Sequence, residues 1–130
     1  MIVSGKRKRA IAKAIIKEGS GKILINRKSY DSLSFFRRLR IEEPIRISKD
    51  VLGNFNFDIS VSIRGGGNES QIEAARLAIA KAVLSFTKSN ELKRAFLAYD
   101  RNLLVADTRR REAYKPNDSK ARAKRQKSYR

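Results

Sequence analysis

In 130 residues the chain carries 31 Lys+Arg against 13 Asp+Glu, a formal net charge of +18. A body so charged repels itself and needs a polyanion beside it, nucleic acid first of all. Cysteine and histidine are both absent, which excludes disulfides and thiolate metal sites and removes the commonest general base and metal ligand. The length suits one domain with a modest core. Met1 to Lys6 has no apolar signal core and no stretch approaches membrane-spanning length, so a soluble, intracellular protein is expected.

Lys6-Arg7-Lys8-Arg9 opens the chain with a run of cations. Ala10 to Lys17 reads two ways. Its alanines favour helix by propensity. Gly19-Ser20-Gly21, however, leads straight into Lys22-Ile23-Leu24-Ile25-Asn26, a short strand, and a hairpin accommodates both segments better. The strand reading places Ala10, Ala12, Ala14 and Ile16 toward the core, with Lys13 and Lys17 on a basic outer face. Tyr30 to Ile47 reads as helix in pieces, with Ser32 or Ser34 as cap and Leu33, Phe36 and Leu39 as its apolar stripe. Arg37, Arg38 and Arg40 stay outside. Glu43-Pro44 interrupts this helix, because proline disfavours helical backbone at the residue before it. Lys49 to Asn54 reads as a turn.

The clearest pattern follows. Phe55, Phe57, Ile59, Val61 and Ile63 alternate with Asn56, Asp58, Ser60, Ser62 and Arg64, a strand with one buried and one wet face. Ile72, Ala75, Ile79, Val83 and Phe86 then recur at helical spacing, with Asn68 as N-cap and Gln71 completing a capping box. Between them Gly65-Gly66-Gly67 forms a hinge whose entropic cost needs a reason: a sharp turn, and close approach to something else. The hinge lacks the Gly-Lys-Ser/Thr ending of a nucleotide loop, and Glu69 would oppose a phosphate, so it reads as a structural turn near a large partner.

Ser89 to Asp100 holds a further short helix with Leu92, Ala95, Phe96 and Tyr99 on one side, and Leu103-Leu104-Val105 reads as a short strand. After Asp107 the chemistry changes. Arg109-Arg110-Arg111 begins a segment almost without core residues, and such a segment cannot bury enough surface to fold alone. The layout is therefore a globular core over residues 1–107 and an extended basic tail over 108–130.

A disordered cationic run on a cationic body lacks acids to offset it, and phosphates would supply them with release of counterions. Lysine and arginine alternating with alanine from Lys120 to Lys127 suit a chain threading between phosphates, and folded RNA suits it better than straight duplex DNA. No helix-turn-helix, zinc finger or aromatic sheet signature appears. Catalysis has no constellation to rest on: Glu42-Glu43 is the only adjacent acid pair and is assigned to solvent. No cofactor or metal is implied.

Taken together, Ile63-Arg64-Gly65-Gly66-Gly67, Gln71-Ile72 and Ala78-Ile79-Ala80-Lys81-Ala82-Val83-Leu84 resemble the signature of the universal ninth protein of the small ribosomal subunit. Gly5-Lys6-Arg7-Lys8 with Ala10 and Ala12, Gly21-Lys22-Ile23 with Asn26, and Glu43-Pro44 are similar to its earlier strands and helix. Asp107-Thr108-Arg109 with Glu112, then Ala121-Arg122 and Gln126 to Arg130, are similar to its tail. The Ser128-Tyr129-Arg130 ending resembles the archaeal and eukaryotic branch. Tyr114-Lys115-Pro116-Asn117-Asp118 departs from the glycine usual in the family there.

The resemblance implies an α/β (α+β) two-layer sandwich: a small mixed sheet with helices on one face, a left-handed βαβ crossover, and an extended basic C-terminal tail. It implies a cytoplasmic ribosomal protein that binds ribosomal RNA in the head of the small subunit, beside neighbouring head proteins. It assigns Lys6, Arg7, Lys8, Arg9, Arg109, Arg110, Arg111, Lys120, Arg122, Lys124 and Arg125 to ribosomal RNA, with the hinge residues Arg64, Gly65, Gly66 and Gly67. Lys127, Ser128, Tyr129 and Arg130 are assigned to the anticodon stem of peptidyl-site transfer RNA. The alternative is a free basic RNA- or DNA-binding chaperone or packing protein, with a small-molecule phosphotransferase a weaker third reading.

Overall fold

Alternating side chains at the start of the chain build an antiparallel hairpin, β1 (Ile2–Arg7) and β2 (Ala10–Glu18), joined by Lys8-Arg9. In this computed structural model, which describes residues 1–117, 120–123 and 128–130, Ala10, Ala12, Ala14 and Ile16 are all buried, as the strand reading requires. Propensity for helix loses here to tertiary packing. β3 (Ile23–Ile25) and β4 (Lys28–Ser29) form a second, small hairpin. Asn26 and Arg27, at φ 49° and 68°, make its two-residue turn, the doubly left-handed turn whose twist matches the strands. Asn26 is suited twice over, since its Oδ1 also accepts the Ile63 N–H at 2.8 Å.

β5 (Phe57–Arg64) lies between β2, to which it is antiparallel, and β3, to which it is parallel. The strand order is β1-β2-β5-β3-β4, a mixed five-stranded sheet among the described residues. A parallel neighbour cannot be reached by a tight turn, so the chain crosses over through α1 (Phe35–Leu52) between β3–β4 and β5. α2 (Asn68–Thr87) lies across β1, β2 and β5, and α1 packs beside α2 and α3 (Asn90–Tyr99). The helices cover the face bearing Ala12, Ala14, Ile59 and Val61; the other face, with Lys13, Lys17, Ser60 and Ser62, is open. This is a two-layer α+β sandwich.

The two layers approach closely because their contact residues are small. β2 presents Ala10, Ala12 and Ala14, and α2 presents Ala74, Ala75 and Ala78, all fully buried. Gly5 of β1 is the tightest point: a Cβ there would lie 2.4 Å from the Ala74 carbonyl oxygen and 2.8 Å from the Ala78 nitrogen. Larger side chains fill the periphery, with Ile79, Val83, Leu92, Phe96 and Leu103 buried under α2 and α3.

The hairpin expected between Ala10–Lys17 and Lys22–Asn26 does not form, because β5 lies between β2 and β3 and β2 turns back on β1 instead. Four further local expectations are corrected. α1 is one helix that runs through Glu43-Pro44. The missing proline N–H costs it a bond, but Ile41, Pro44, Ile45 and Ser48 are its buried face, and Ser48 Oγ donates to the Pro44 carbonyl at 2.7 Å. The stripe read as Leu33, Phe36 and Leu39 is therefore not the helix's buried face: Phe36 is 78% exposed, Leu39 is half-buried, and Leu33, which packs against the core, precedes the helix. Lys49 to Leu52 continues the helix, which Gly53 ends at φ 75° with its N–H on the Lys49 carbonyl at 2.9 Å. Third, α2 starts at Asn68 with Gly67 as N-cap and no side-chain cap; Gln71 Nε2 instead donates to the Gly65 carbonyl at 3.1 Å. Last, Leu103-Leu104-Val105 is no strand. Arg101–Leu103 is a 3₁₀ turn held by Asp100 Oδ1, which accepts the Asn102 N–H at 2.9 Å, and it drops Leu103 into the core.

Candidate nucleic-acid interface

Three basic segments far apart in sequence meet at one end of the sheet. The β1–β2 turn puts Lys8 and Arg9 on the surface, Lys8 at φ 52°. Pairing of Ile11 with both Lys6 and Arg64 sets those two cations in one cross-strand row on the open sheet face. The chain after the 3₁₀ turn Arg101–Leu103 then returns along the same edge, where Lys8, Arg9, Arg109, Arg110 and Arg111 line a cavity of about 570 Å³. A second hollow of about 390 Å³ continues along Arg9, Arg111, Glu112, Ala113, Tyr114 and Pro116. Arg111 stacks over the Tyr114 ring at 4.6 Å and donates to its hydroxyl at 2.8 Å. Lys6 to Arg9, Arg64 and Arg109 to Arg111 are thus one surface.

Like charges do not gather unaided. Asp107 holds them: it forms an ion pair with Arg7 and accepts from Arg109 at Nη2 (2.6 Å), Nε and the backbone N–H (2.9 Å). These bonds from Arg109, with the Arg7 charge behind them, keep the Asp107 carboxyl well below the usual carboxylate range and raise Arg109 in turn. Arg7 Nε also donates to Glu73 on α2 at 2.5 Å, and Arg40 Nη1 reaches the same carboxylate at 3.2 Å. The root of the tail is thereby tied through β1 to both long helices. Lys8 and Arg9 have no acidic partner among the described residues.

Gly65 and Gly66 show what the hinge approaches. At φ 74° and 70° they turn the chain, and a Cβ would lie 2.7 Å from the Arg9 carbonyl oxygen at Gly65 and 2.9 Å from the Ala10 nitrogen at Gly66. Their nearest neighbour is this chain's own basic turn. Gly67 faces open space.

Of the tail residues singled out from the sequence, Lys120 is exposed and Arg122 donates through Nε to Glu112 at 2.7 Å. Ser128, Tyr129 and Arg130 are exposed, Tyr129 at 92%, and are not brought into the patch. Lys124, Arg125 and Lys127 lie outside the described residues.

Sequence reasoning missed the clamp. Asp107, an acid beside a run of arginines, was the available signal. It also assigned Glu42-Glu43 to solvent, which the structure corrects: Glu43 pairs with Arg76 at 2.5 Å, Arg76 holds Asp100 at 3.1 Å, and Glu42 pairs with Arg46 at 2.6 Å. Glu43, Arg76 and Asp100 line a cleft of about 530 Å³ with Arg7, Arg40, Glu73, Asp107 and Arg109, where acids and arginines neutralise one another. Among the described residues no cluster of carboxylates suits a metal ion, and no helix is long and apolar enough to cross a membrane.

The family model described as ribosomal protein S9/S16 matches residues 5–130. The chain belongs to that family. The small ribosomal subunit protein uS9 of Methanococcus vannielii is 47% identical over 129 residues, covering 97% of this chain and 95% of its own. Its counterpart in Picrophilus torridus is 47% identical over 131 residues, covering 100% and 97%. The resemblance read from the glycine hinge and the tail is thus correct, down to the archaeal type, and the family is one of ribosomal proteins rather than enzymes.

Proposed function

We propose that the chain is a structural constituent of the small ribosomal subunit that grips ribosomal RNA in the head and sends its C-terminal tail toward peptidyl-site transfer RNA. The convergence of Lys6 to Arg9, Arg64 and Arg109 to Arg111 at one end of the sheet carries this reading. Phosphates supply acids to Lys8 and Arg9, which have none among the described residues, and the Asp107 clamp holds the cations in register before RNA arrives, which lowers the ordering cost of binding. Gly65 to Gly67 and Arg64 contribute as the exposed edge beside that turn, with Gly67 open to a backbone approach.

On this reading residues 1–107 are the RNA-binding core and 108–130 the arm. Lys120, Arg122, Lys124 and Arg125 line the arm's path over RNA, and Lys127, Ser128, Tyr129 and Arg130 meet the anticodon stem. Exposure of Ser128, Tyr129 and Arg130 and the family's similarity through residue 130 support the assignment. The test is salt-dependent binding to small-subunit RNA. Lys8→Ala with Arg9→Ala should lower the slope of log K against log salt by about 1.5–2, as loss of two phosphate contacts requires. An unchanged slope would remove the patch from the interface. Co-sedimentation with small subunits through moderate salt separates this function from a free nucleic-acid chaperone, which would be stripped off.

A further inference from the structure

Phe35 and Phe36 stand at the first turn of α1, 60% and 78% exposed, with ring centroids 5.5 Å apart at 73°. Arg38 lies over the Phe35 ring at 6.0 Å. Adjacent large rings left in water at a helix end mark a contact surface. Leu33 and Arg37, on either side of the pair in sequence, line a groove of about 260 Å³ together with Ile25, Ile63 and Ile72. The aromatic pair thus lies in sequence between two residues that line a partly apolar hollow.

Charge decides what could cover it. Unlike Lys8 and Arg9, the arginines of this face have carboxylate partners from their own fold. Arg37 pairs with Glu69 at 2.9 Å, Arg38 with Glu42 at 3.4 Å, and Arg40 with Glu73 and Glu69 at 3.2 and 3.7 Å. Glu69, its side chain 61% exposed, adds an outward carboxylate to this face. Among the described residues Lys28 is the one cation of the groove lining without an acidic partner, so an RNA backbone gains little here and meets acids. A protein surface with an apolar pocket and a rim of both charge signs gains two aromatic anchors and exchanges ion pairs at the edge.

We infer that the Phe35–Phe36 face is a protein-docking surface, taking a neighbouring protein of the assembly whose apolar pocket is rimmed by mixed charges. This rests on the ribosomal function proposed above and divides the molecule into an RNA end, at the β1–β2 turn, and a protein end, at the start of α1. The test uses complete small subunits from an archaeal host in which this chain replaces the resident family member. Phe36→p-benzoylphenylalanine should cross-link to protein on irradiation. The F35S/F36S double variant, whose changes touch only exposed rings, should keep its affinity for small-subunit RNA within about twofold, yet leave the subunits about tenfold faster on dilution into salt. A cross-link to RNA, no cross-link, or unchanged retention overturns the inference. Entry of the unaltered chain into subunits with an RNA cross-link at position 36 overturns this inference alone. Failure of the unaltered chain to enter at all overturns the proposed function with it.

Discussion

Gly5→Ala adds one methyl group at the point where strand and helix backbones come closest. That methyl would sit 2.4 Å from the Ala74 carbonyl oxygen, 2.8 Å from the Ala78 nitrogen and 3.2 Å from the Ala78 Cα. Ordinary contact begins at 3.4 Å, so the shortest of these must open by about 1 Å, and all three are backbone atoms. No rotamer change can relieve them. Either β1 moves out of register with β2 or α2 lifts from the sheet, and lifting loosens Ala12, Ala14, Ala75 and Ala78 together. Overpacking of this kind costs about 1–3 kcal/mol, and lost dispersion contacts around the alanines add to it. A destabilisation of about 3 kcal/mol is expected, a large share of the roughly 5–15 kcal/mol typical of a domain. Urea unfolding followed by circular dichroism would measure it, with Gly67→Ala, which meets open space, as the control. Gly5→Ala within about 0.5 kcal/mol of the parent would refute the close-packing account of the alanine-rich layers.

Gly66→Val should destabilise by about 2 kcal/mol or more, since it forces a β-branched residue to φ 70° with its Cβ 2.9 Å from the Ala10 Cβ; equal midpoints for Gly66→Val and Gly67→Ala in the same urea series would contradict this. Stability should fall on acidification below about pH 4: Asp58, whose Oδ1 accepts the N–H groups of Lys22, Ser20 and Gly21, and Asp107, held by Arg109, both have folded pKa values below the unfolded one. Their contribution is complete above that range and lost as protons bind, so Asp58→Ala should flatten the acid limb of stability against pH, and a parallel curve would count against it. Amide exchange on the free protein should leave Lys120 to Arg130 unprotected while Ile59 to Ile63 exchange slowly, because none of the described tail residues is buried; slow exchange through the tail would show a docked arm. Deleting Lys127 to Arg130 should leave subunit assembly intact but weaken peptidyl-site transfer-RNA binding by about 1–2 kcal/mol at low magnesium. Unchanged binding would leave the tail no role beyond ribosomal RNA.

What the sequence made legible was whatever a local period can write. β5 and α2 carry clean alternation and clean helical spacing, and both stand within two residues of where they were read. The strand at β2 was read correctly against propensity, although the hairpin with the following strand that argued for it does not form, because β5 lies between β2 and β3. α1 failed for the opposite reason. Its apolar residues are few and its proline loud, and the face that reaches the core is set by α2 and α3, which no window of α1 contains. Likewise Leu103 is apolar because a single turn drops it into a hole, not because a strand needs it. The basic runs were legible as charges. Their meeting was not, since the pairing of Ile11 with Lys6 and Arg64 and the reach of Asp107 to Arg7 are facts of register and topology.

The distribution of the acids is the deeper constraint. A net charge of +18 might have been spread evenly, but Glu42, Glu43, Glu69, Glu73, Asp100 and Asp107 all engage arginines on the helical side or at the tail's root. Glu69 is exposed and its pairs contribute little stability, whereas Glu43 with Arg76 and Asp107 with Arg7 are partly buried and tie elements of the fold together. The collective effect of these acids is to quench charge along α1 while Lys8 and Arg9 of the β1–β2 turn keep no acidic partner among the described residues. Six acids placed instead beside Lys8 and Arg9 would preserve net charge and fold, yet oppose phosphates where the cations converge. Asp107 is the instructive exception, lying within the patch: held deprotonated by Arg109 and Arg7, it trades one negative charge for fixed positions of the cations around it. Preorganisation, not charge count, is what that carboxylate contributes.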